Sequence, residues 1–296
     1  MRLLRLCGLA LLTACHSLPP LPAWQGPEGR RHADLGAIVD LHSGERLSPA
    51  QLVARLAPAP RLLIGEQHDN PDHHALQLWL LQTLASERRP GALLLEMLNP
   101  EQQGRVDAMR PVAQRGEWPA DLPAALAWQK GWDWTMYGAL VRHALAQPEP
   151  LLAANLDRGE ISSIYRTPPP LAGEASTAKA VQVALRAQIR EAHCDLLPEE
   201  QLPAMLAVQQ QRDRRMAERL LAAPAPAVLL AGGYHVRRDL GVPLHLRDLG
   251  AGEGALVLQL AEVGRPVTAA QADYVWFTPG QPGQDHCAAL RRGGKP

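Results

Sequence analysis

Five short apolar runs, separated by longer segments of helical pattern, constrain this chain more than any other feature. They are RLLIG (61–65), ALLLEM (92–97), LLAAN (151–155), AVLLAG (227–232) and ALVLQL (255–260). Several are apolar on both alternating faces, as strands covered from both sides must be. Between them the pattern turns helical. Asn70 can cap a helix that has Pro71 in its first turn and runs to about Arg88. Residues 137–147, 178–193 and 199–223 carry further helical stripes. Such alternation predicts an α/β fold with a mainly parallel central sheet covered by helices on both faces. Residues from about 100 to 135 and from 178 to 223 are expected to form a helical insert or subdomain over one sheet edge.

Polar residues collect where these runs end. Glu66 and His68 follow the first, Glu96 and Asn99 end the second, and Asn155, Asp157 and Arg158 follow the third. The fourth ends at Tyr234 and His235, followed by Arg237, Arg238 and Asp239. In a parallel sheet these ends point the same way, towards the crevice where α/β proteins place ligands. Two of the ends carry Gly-x-x-His, Gly65 to His68 and Gly232 to His235, and the glycines are expected to let the backbone turn sharply.

Each residue also has a plainer reading. His73 and His74 fall in a first helical turn, where surface exposure is expected for at least one of them. Glu66 can serve as an acceptor for backbone amides in its turn. Glu96, ending the run Leu93-Leu94-Leu95, should be buried and therefore needs a cation, histidine or metal beside it. Downstream, Leu202, Leu206, Met216 and Leu220 form one helical stripe that also carries Gln209 and Asp213. Those polar groups should face the body, reaching the crevice or capping a neighbouring loop.

The termini speak to location. Residues 1–14 read as a lipoprotein signal peptide, with Arg2 and Arg5 before an apolar stretch too short to span a membrane. Leu12-Thr13-Ala14-Cys15 matches a lipobox, so cleavage before Cys15 and its acylation (palmitate-type chains) are expected, at ~0.8 kcal/mol per buried methylene. His16 in place of an aspartate favours the outer membrane of a Gram-negative envelope. Residues 15–36 are read as the lipidated cysteine and a Pro-rich tether, 37–290 as the folded domain and 291–296 as a basic tail. Cys194 and Cys287 then remain, an even pair that in an oxidising periplasm reads as a disulfide worth roughly 4–5 kcal/mol, the alternative being two free thiols. Lys plus Arg and Asp plus Glu balance at 30 each, so no global charge points to nucleic acid. The basic run from Arg212 to Arg215 reads as helix faces.

GEQHDNPDHH (65–74), the strand ending in Glu96, GWDWTMY, AANLDR, HCDLLPEEQL, QQQRDRRMA, GGYHVRRDLGVP and DYVWFTP together resemble the ChaN family of haem-binding lipoproteins. The resemblance runs from about Ala37 to Cys287. It implies haem as ligand, a role in haem or iron uptake, and a wider superfamily with Tiki, TraB and erythromycin esterase proteins. Tiki-type members are metal-dependent proteases with two Gly-x-x-His motifs and a glutamate, which correspond here to His68, His235 and Glu96. Tyr234 departs from the small or polar residue expected before the second histidine.

Two functional readings follow. In the first, a lipid-anchored protein binds haem, with Tyr234 and His235 as the contacting pair, His68 nearby, and Arg237 or Arg238 for the propionates. A phenolate is a good hard ligand for ferric haem. Tyr165 and Tyr274 are rival ligands, and covalent attachment is excluded because Cys-x-x-Cys-His is absent. An outer-membrane haem receptor and a homodimer sharing the flat macrocycle are the expected partners. In the second reading, a metal-dependent hydrolase holds Zn or Mn through His68, His235 and Glu96, with Glu66 as general base. A purely structural role for the polar strand ends is the third and least favoured.

Overall fold

The computed structural model describes residues 18–89, 91–283 and 286–291. The signal peptide, Cys15 and residues 292–296 of the basic tail lie outside the described residues. In chain order the elements are β1 (Ile38–Asp40), β2 (Arg46–Leu47), α1 (Pro49–Leu56), β3 (Arg61–Glu66), α2 (Pro71–Glu87) and β4 (Ala92–Leu95). Then come α3 (Pro100–Gln114), α4 (Leu122–Ala125), α5 (Trp134–Ala146), β5 (Leu151–Ala153), α6 (Arg158–Arg166) and α7 (Lys179–Ala192). A 3₁₀ turn leads into α8 (Leu202–Ala222), followed by β6 (Ala227–Gly232), α9 (Gly233–Val236), α10 (Val242–Asp248), β7 (Ala255–Glu262), β8 (Tyr274–Thr278) and α11 (His286–Arg291).

The strands form one sheet in the order β2-β1-β8-β7-β3-β6-β4-β5. From β8 to β5 every pairing is parallel, while β1 joins β8 and β2 antiparallel. Strand alternation divides the core. Leu62, Ile64, Leu93, Leu95, Val228 and Leu230 face one layer, into which α1, α2, α3 and α5 pack. Leu63, Leu94, Leu229, Ala231 and Val257 face the other, against Met216, Ala217 and Leu220 of α8 and Val242 and Leu246 of α10. Strands buried on both faces explain why these runs are continuous in leucine, valine and isoleucine rather than alternating.

Two helical segments expected over one edge instead lie on opposite faces. α3 and α5 bury Val106, Tyr137, Leu140 and Val141 in the first layer. α8 changes partner along its length: its C-terminal half meets the sheet, and its Leu202 and Leu206 meet Leu185 and Ile189 of α7 and Leu240. The Cys194–Cys287 disulfide is formed, tying α11 to the chain just beyond α7. The antiparallel β2-β1 edge and β8 had no expectation from periodicity; β2 and β1 are only 2 and 3 residues long and carry no apolar run.

The Pro-rich segment is not a free tether. Leu18 and Trp24 pack on the core, and the Trp79 indole donates to the Pro19 carbonyl at 3.0 Å. The amides of Gln25 and Gly26 donate to the two carboxylate oxygens of Asp72 at 2.7 and 2.8 Å. Glu28 exchanges backbone hydrogen bonds with Gly280. A run poor in core formers is thus held by its backbone polar groups and two large side chains, and the ordered body begins well before residue 37.

Candidate functional site

Strand order brings the two Gly-x-x-His segments side by side. β3 and β6 pair in register, Gly65 with Ala231 and Glu66 with Gly232, and β4 lies on the far side of β6. Asn70 caps α2 by accepting from Asp72 N at 3.0 Å, with Pro71 in the first turn, so the helix turns back at once from the strand end.

The first pole is built on Glu66, whose side chain is fully buried. Its Oε1 receives the Tyr137 hydroxyl at 2.6 Å and lies 2.8 Å from Nδ1 of His68. Nδ1 of His74 is 3.1 Å from the other oxygen, too poorly aligned for a hydrogen bond, so this contact is chiefly an ion pair. His74 also donates from Nε2 to the His68 carbonyl at 3.0 Å. Burial works to raise the Glu66 pKa, but His74 and His68 overcome it and hold the carboxyl well below the usual range. Burial likewise opposes protonation of His74 and His68, and Glu66 reverses the balance for both. His73 differs: Nδ1 accepts from Gln67 N at 2.8 Å and Nε2 donates to Thr278 Oγ1 at 2.9 Å. Burial pushes it down to about 3, so it is a neutral structural strut. Both histidines of this turn are therefore buried, contrary to the surface expectation, because α2 is covered on nearly all sides.

The second pole is His235. Nδ1 sits 2.5 Å from Asp213 Oδ1, with the Gln209 amide closing over the same nitrogen at 3.2 Å. Nε2 lies 3.3 Å from Glu96 Oε1, and Glu96 Oε2 accepts the Gly232 amide at 2.7 Å. Burial opposes the charge on His235, yet Glu96 and Asp213 raise its pKa to about 10. Glu96 is held at about 2 against burial, chiefly by His235. Gln209 and Asp213 thus reach His235 from their helical stripe, and Glu96 has the buried partner its position demanded.

The Gly-x-x-His glycines have another cause than a sharp turn. Gly232 has φ −55° and ψ 144°, open to any residue. A Cβ there would lie 2.8 Å from His68 Nε2, and one on Gly65 would lie 2.4 Å from Val236 Cγ2 and 2.6 Å from Gln259 Oε1. Each glycine makes room for a side chain of the neighbouring motif, which is close approach rather than turning.

Other predicted residues sit further out. Tyr234 is 47% exposed on α9, its phenol oxygen free of hydrogen bonds among the described residues, with the Arg237 guanidinium 5.8 Å from its ring centre. Arg237 is engaged by Asp239 and Arg238 by Asp273, each through paired 2.7–2.9 Å hydrogen bonds. Tyr274 is buried in β8, and Tyr165 lies on α6. Asn155 bonds its own neighbour Leu156, and Asp157 caps α6, so the β5 end adds nothing to the two poles.

A family model described as haem-binding uptake, Tiki superfamily, ChaN, matches residues 52–246. The chain belongs to this family. Its fold is similar to the solved ChaN of Campylobacter jejuni, a structure of cofacial haem binding, at 31% identity and a TM-score of 0.75, covering 82% of this chain and 97% of that one. An erythromycin esterase (13% identity, TM-score 0.44, 83% of each chain) and a Vibrio vulnificus toxin effector domain (16%, 0.46, 81% of this chain and 39% of that one) are too distant to carry an argument. Among curated proteins none matches the sequence.

For a ChaN-family chain, the donor at the sheet end fits haem in kind: a free, exposed phenol. The sheet end fits a resident metal less well. Among the described residues no group of three His, Cys, Asp or Glu side chains is arranged to hold an ion. Sequence reasoning missed Tyr137 and His74 as partners of Glu66, and Trp132, whose ring packs edge-on to His68 at 4.9 Å. The signal for Tyr137 was there: it shares a helical stripe with the buried Leu140, Val141 and Ala144, where a phenol needs an acceptor.

Proposed function

We propose that this ChaN-family protein binds haem at the C-terminal end of its sheet, Tyr234 supplying the axial oxygen, in support of haem or iron uptake. The observation that carries the reading is the free phenol of Tyr234, exposed in the first turn after β6 and next to the tightly held His235. Haem, when bound, would bring a ferric centre suited to a hard oxygen donor. The two buried poles hold the β3 and β6 ends rigid, so α9 presents Tyr234 from a fixed platform. The relative from C. jejuni binds haem cofacially. That supports a homodimer in which a second copy covers the ligand face that an exposed tyrosine leaves open. Acylation at Cys15 would hold the body close to the outer membrane, because the chain is already docked at Leu18. An outer-membrane haem receptor is the corresponding partner.

Titrating the purified protein with haemin tests this: a saturable Soret band with defined stoichiometry is expected, and no saturable binding overturns it. Tyr234→Phe should shift or abolish that spectrum; an unchanged spectrum removes Tyr234 as ligand. Light scattering with and without haemin tests the dimer, and Cys15→Ser, expected to release the protein from the membrane fraction, tests the anchor.

One observation favours a hydrolase as second reading. His68 and His235 each carry a carboxylate on Nδ1, the arrangement that orients metal-binding imidazoles. His68, His235 and Glu96 would hold Zn or Mn, and Glu66, buried and bonded to Tyr137, would orient His68 more readily than take a proton. Metal analysis after mild purification, with activity after reconstitution, tests it.

A further inference from the structure

The haem reading leaves its propionates without a partner, because Arg237 and Arg238 are already neutralised by Asp239 and Asp273. The arginines of α8 have mostly been claimed too. Arg214 pairs with Glu218, Arg215 with Glu160 of α6, and Arg219 donates from Nε to the Ala153 carbonyl at the end of β5. Arg212 is different. It is half-buried, its Nε is sealed from solvent, and among the described residues no hydrogen bond or ion pair engages its guanidinium.

Its position follows from helical geometry. Gln209 and Asp213 mark the face of α8 turned to His235 on α9, just after β6, and Arg215 and Arg219 mark the face turned to α6 and β5. At 100° per residue Arg212 falls between those faces. β4, which ends in Glu96, lies between β6 and β5 in the sheet. By helical phase Arg212 therefore starts from the flank of α8 between its His235-facing and α6-facing surfaces, one helical turn from the amide that touches His235. Glu96 does not neutralise it, being occupied by His235 and the Gly232 amide. A guanidinium partly withdrawn from water without an anion is costly, and an arriving carboxylate meets a planar fork matched to it.

We propose that Arg212 is the carboxylate-receiving residue of the ligand site, taking a haem propionate; this rests on the haem reading above. The test compares haemin with haemin dimethyl ester on wild type, Arg212→Gln, Arg212→Lys and the charge-matched control Arg214→Gln. Far-UV circular dichroism and thermal midpoints check that each variant folds. Arg212→Gln is expected to weaken haemin on the order of 10- to 100-fold, the range of a charge-assisted pair. The ester should bind wild type and Arg212→Gln alike, Arg212→Lys should keep part of the affinity, and Arg214→Gln all of it. Unchanged haemin affinity in Arg212→Gln overturns the proposal while the haem reading stands. Equal loss for haemin and ester also overturns it, since the residue would then act through structure. Failure of wild type to bind haemin at all overturns the haem reading and the proposal with it.

Discussion

The two Gly-x-x-His segments look alike in sequence, yet their histidines are held in opposite ways. At the β3 end one carboxylate serves several donors: Glu66 gathers Tyr137, His68 and His74. At the β6 end several acceptors serve one imidazole: His235 lies between Asp213 and Glu96. The exposed side chains differ as well. His68 is itself the exposed member of its pole, its side chain 41% exposed, whereas His235 is buried and the adjacent Tyr234 takes the outward position. The comparison teaches that a shared motif fixes where a side chain starts, while the charge balance of its neighbours fixes what that side chain can do. One pole depends on a single anion; the other divides its load between two.

That difference predicts unequal costs. Glu66→Gln leaves His74 buried without its counter-charge and turns the charge-assisted bond from Tyr137 into a neutral one, so a loss of about 3–5 kcal/mol is expected. Asp213→Asn keeps Glu96 on His235 and should cost less, about 1–3 kcal/mol. Urea denaturation of both variants measures this; equal losses would break the comparison. The glycines come next. Gly65→Ala drives a Cβ into the buried Val236 and should cost about 1–3 kcal/mol. Gly232→Ala meets only the imidazole of His68, which can swing towards solvent, so stability should fall less while the His68 ring resonances shift in NMR spectra.

Much of this arrangement was legible beforehand. Glu66, His68, Glu96 and His235 stand out because each closes an apolar run, and Asp213 because it sits on the apolar stripe of a helix. What could not be read was which run neighbours which. β6 inserts between β3 and β4 although over 130 residues separate it from either, and periodicity carries no information about such pairings. The meaning of His74 was hidden for the same reason: a helix covered on nearly all sides has no polar face to contrast with, so its burial shows only once α5 is packed against it. The strap from Leu18 to Gly29 escapes a reading of its side chains because only Leu18 and Trp24 pack on the core, and the rest of its attachment runs through backbone groups, which every sequence possesses.

The poles should also separate by pH. His73 stays neutral in the folded protein down to about 3, whereas an unfolded chain protonates it near 6.5. Its contribution is therefore present above pH 6.5 and lost as pH falls through about 3. His235 runs the other way: the folded protein keeps its proton up to about 10. Its contribution is full below pH 6.5 and lost as pH rises through about 10. Thermal midpoints of wild type and His73→Gln should be furthest apart at neutral pH and draw together as pH falls below 6.5, and those of wild type and His235→Gln should converge towards alkaline pH. A difference independent of pH on either limb would show that the charge assignment of that pole is wrong.

The two tyrosines, one at each pole, sharpen the contrast most directly, and the smallest effect of all is expected at Tyr234. Tyr137 donates to a buried carboxylate, so Tyr137→Phe removes a charge-assisted hydrogen bond and should cost about 1.5–3 kcal/mol. Tyr234 is half exposed and makes no hydrogen bond among the described residues, so Tyr234→Phe should change stability by no more than about 0.5 kcal/mol. A hydroxyl that the fold does not use stands open to a ligand, as the haem reading proposed above requires. If Tyr234→Phe proves as destabilising as Tyr137→Phe, the hydroxyl serves folding after all, and the case for it as a haem ligand loses its main support.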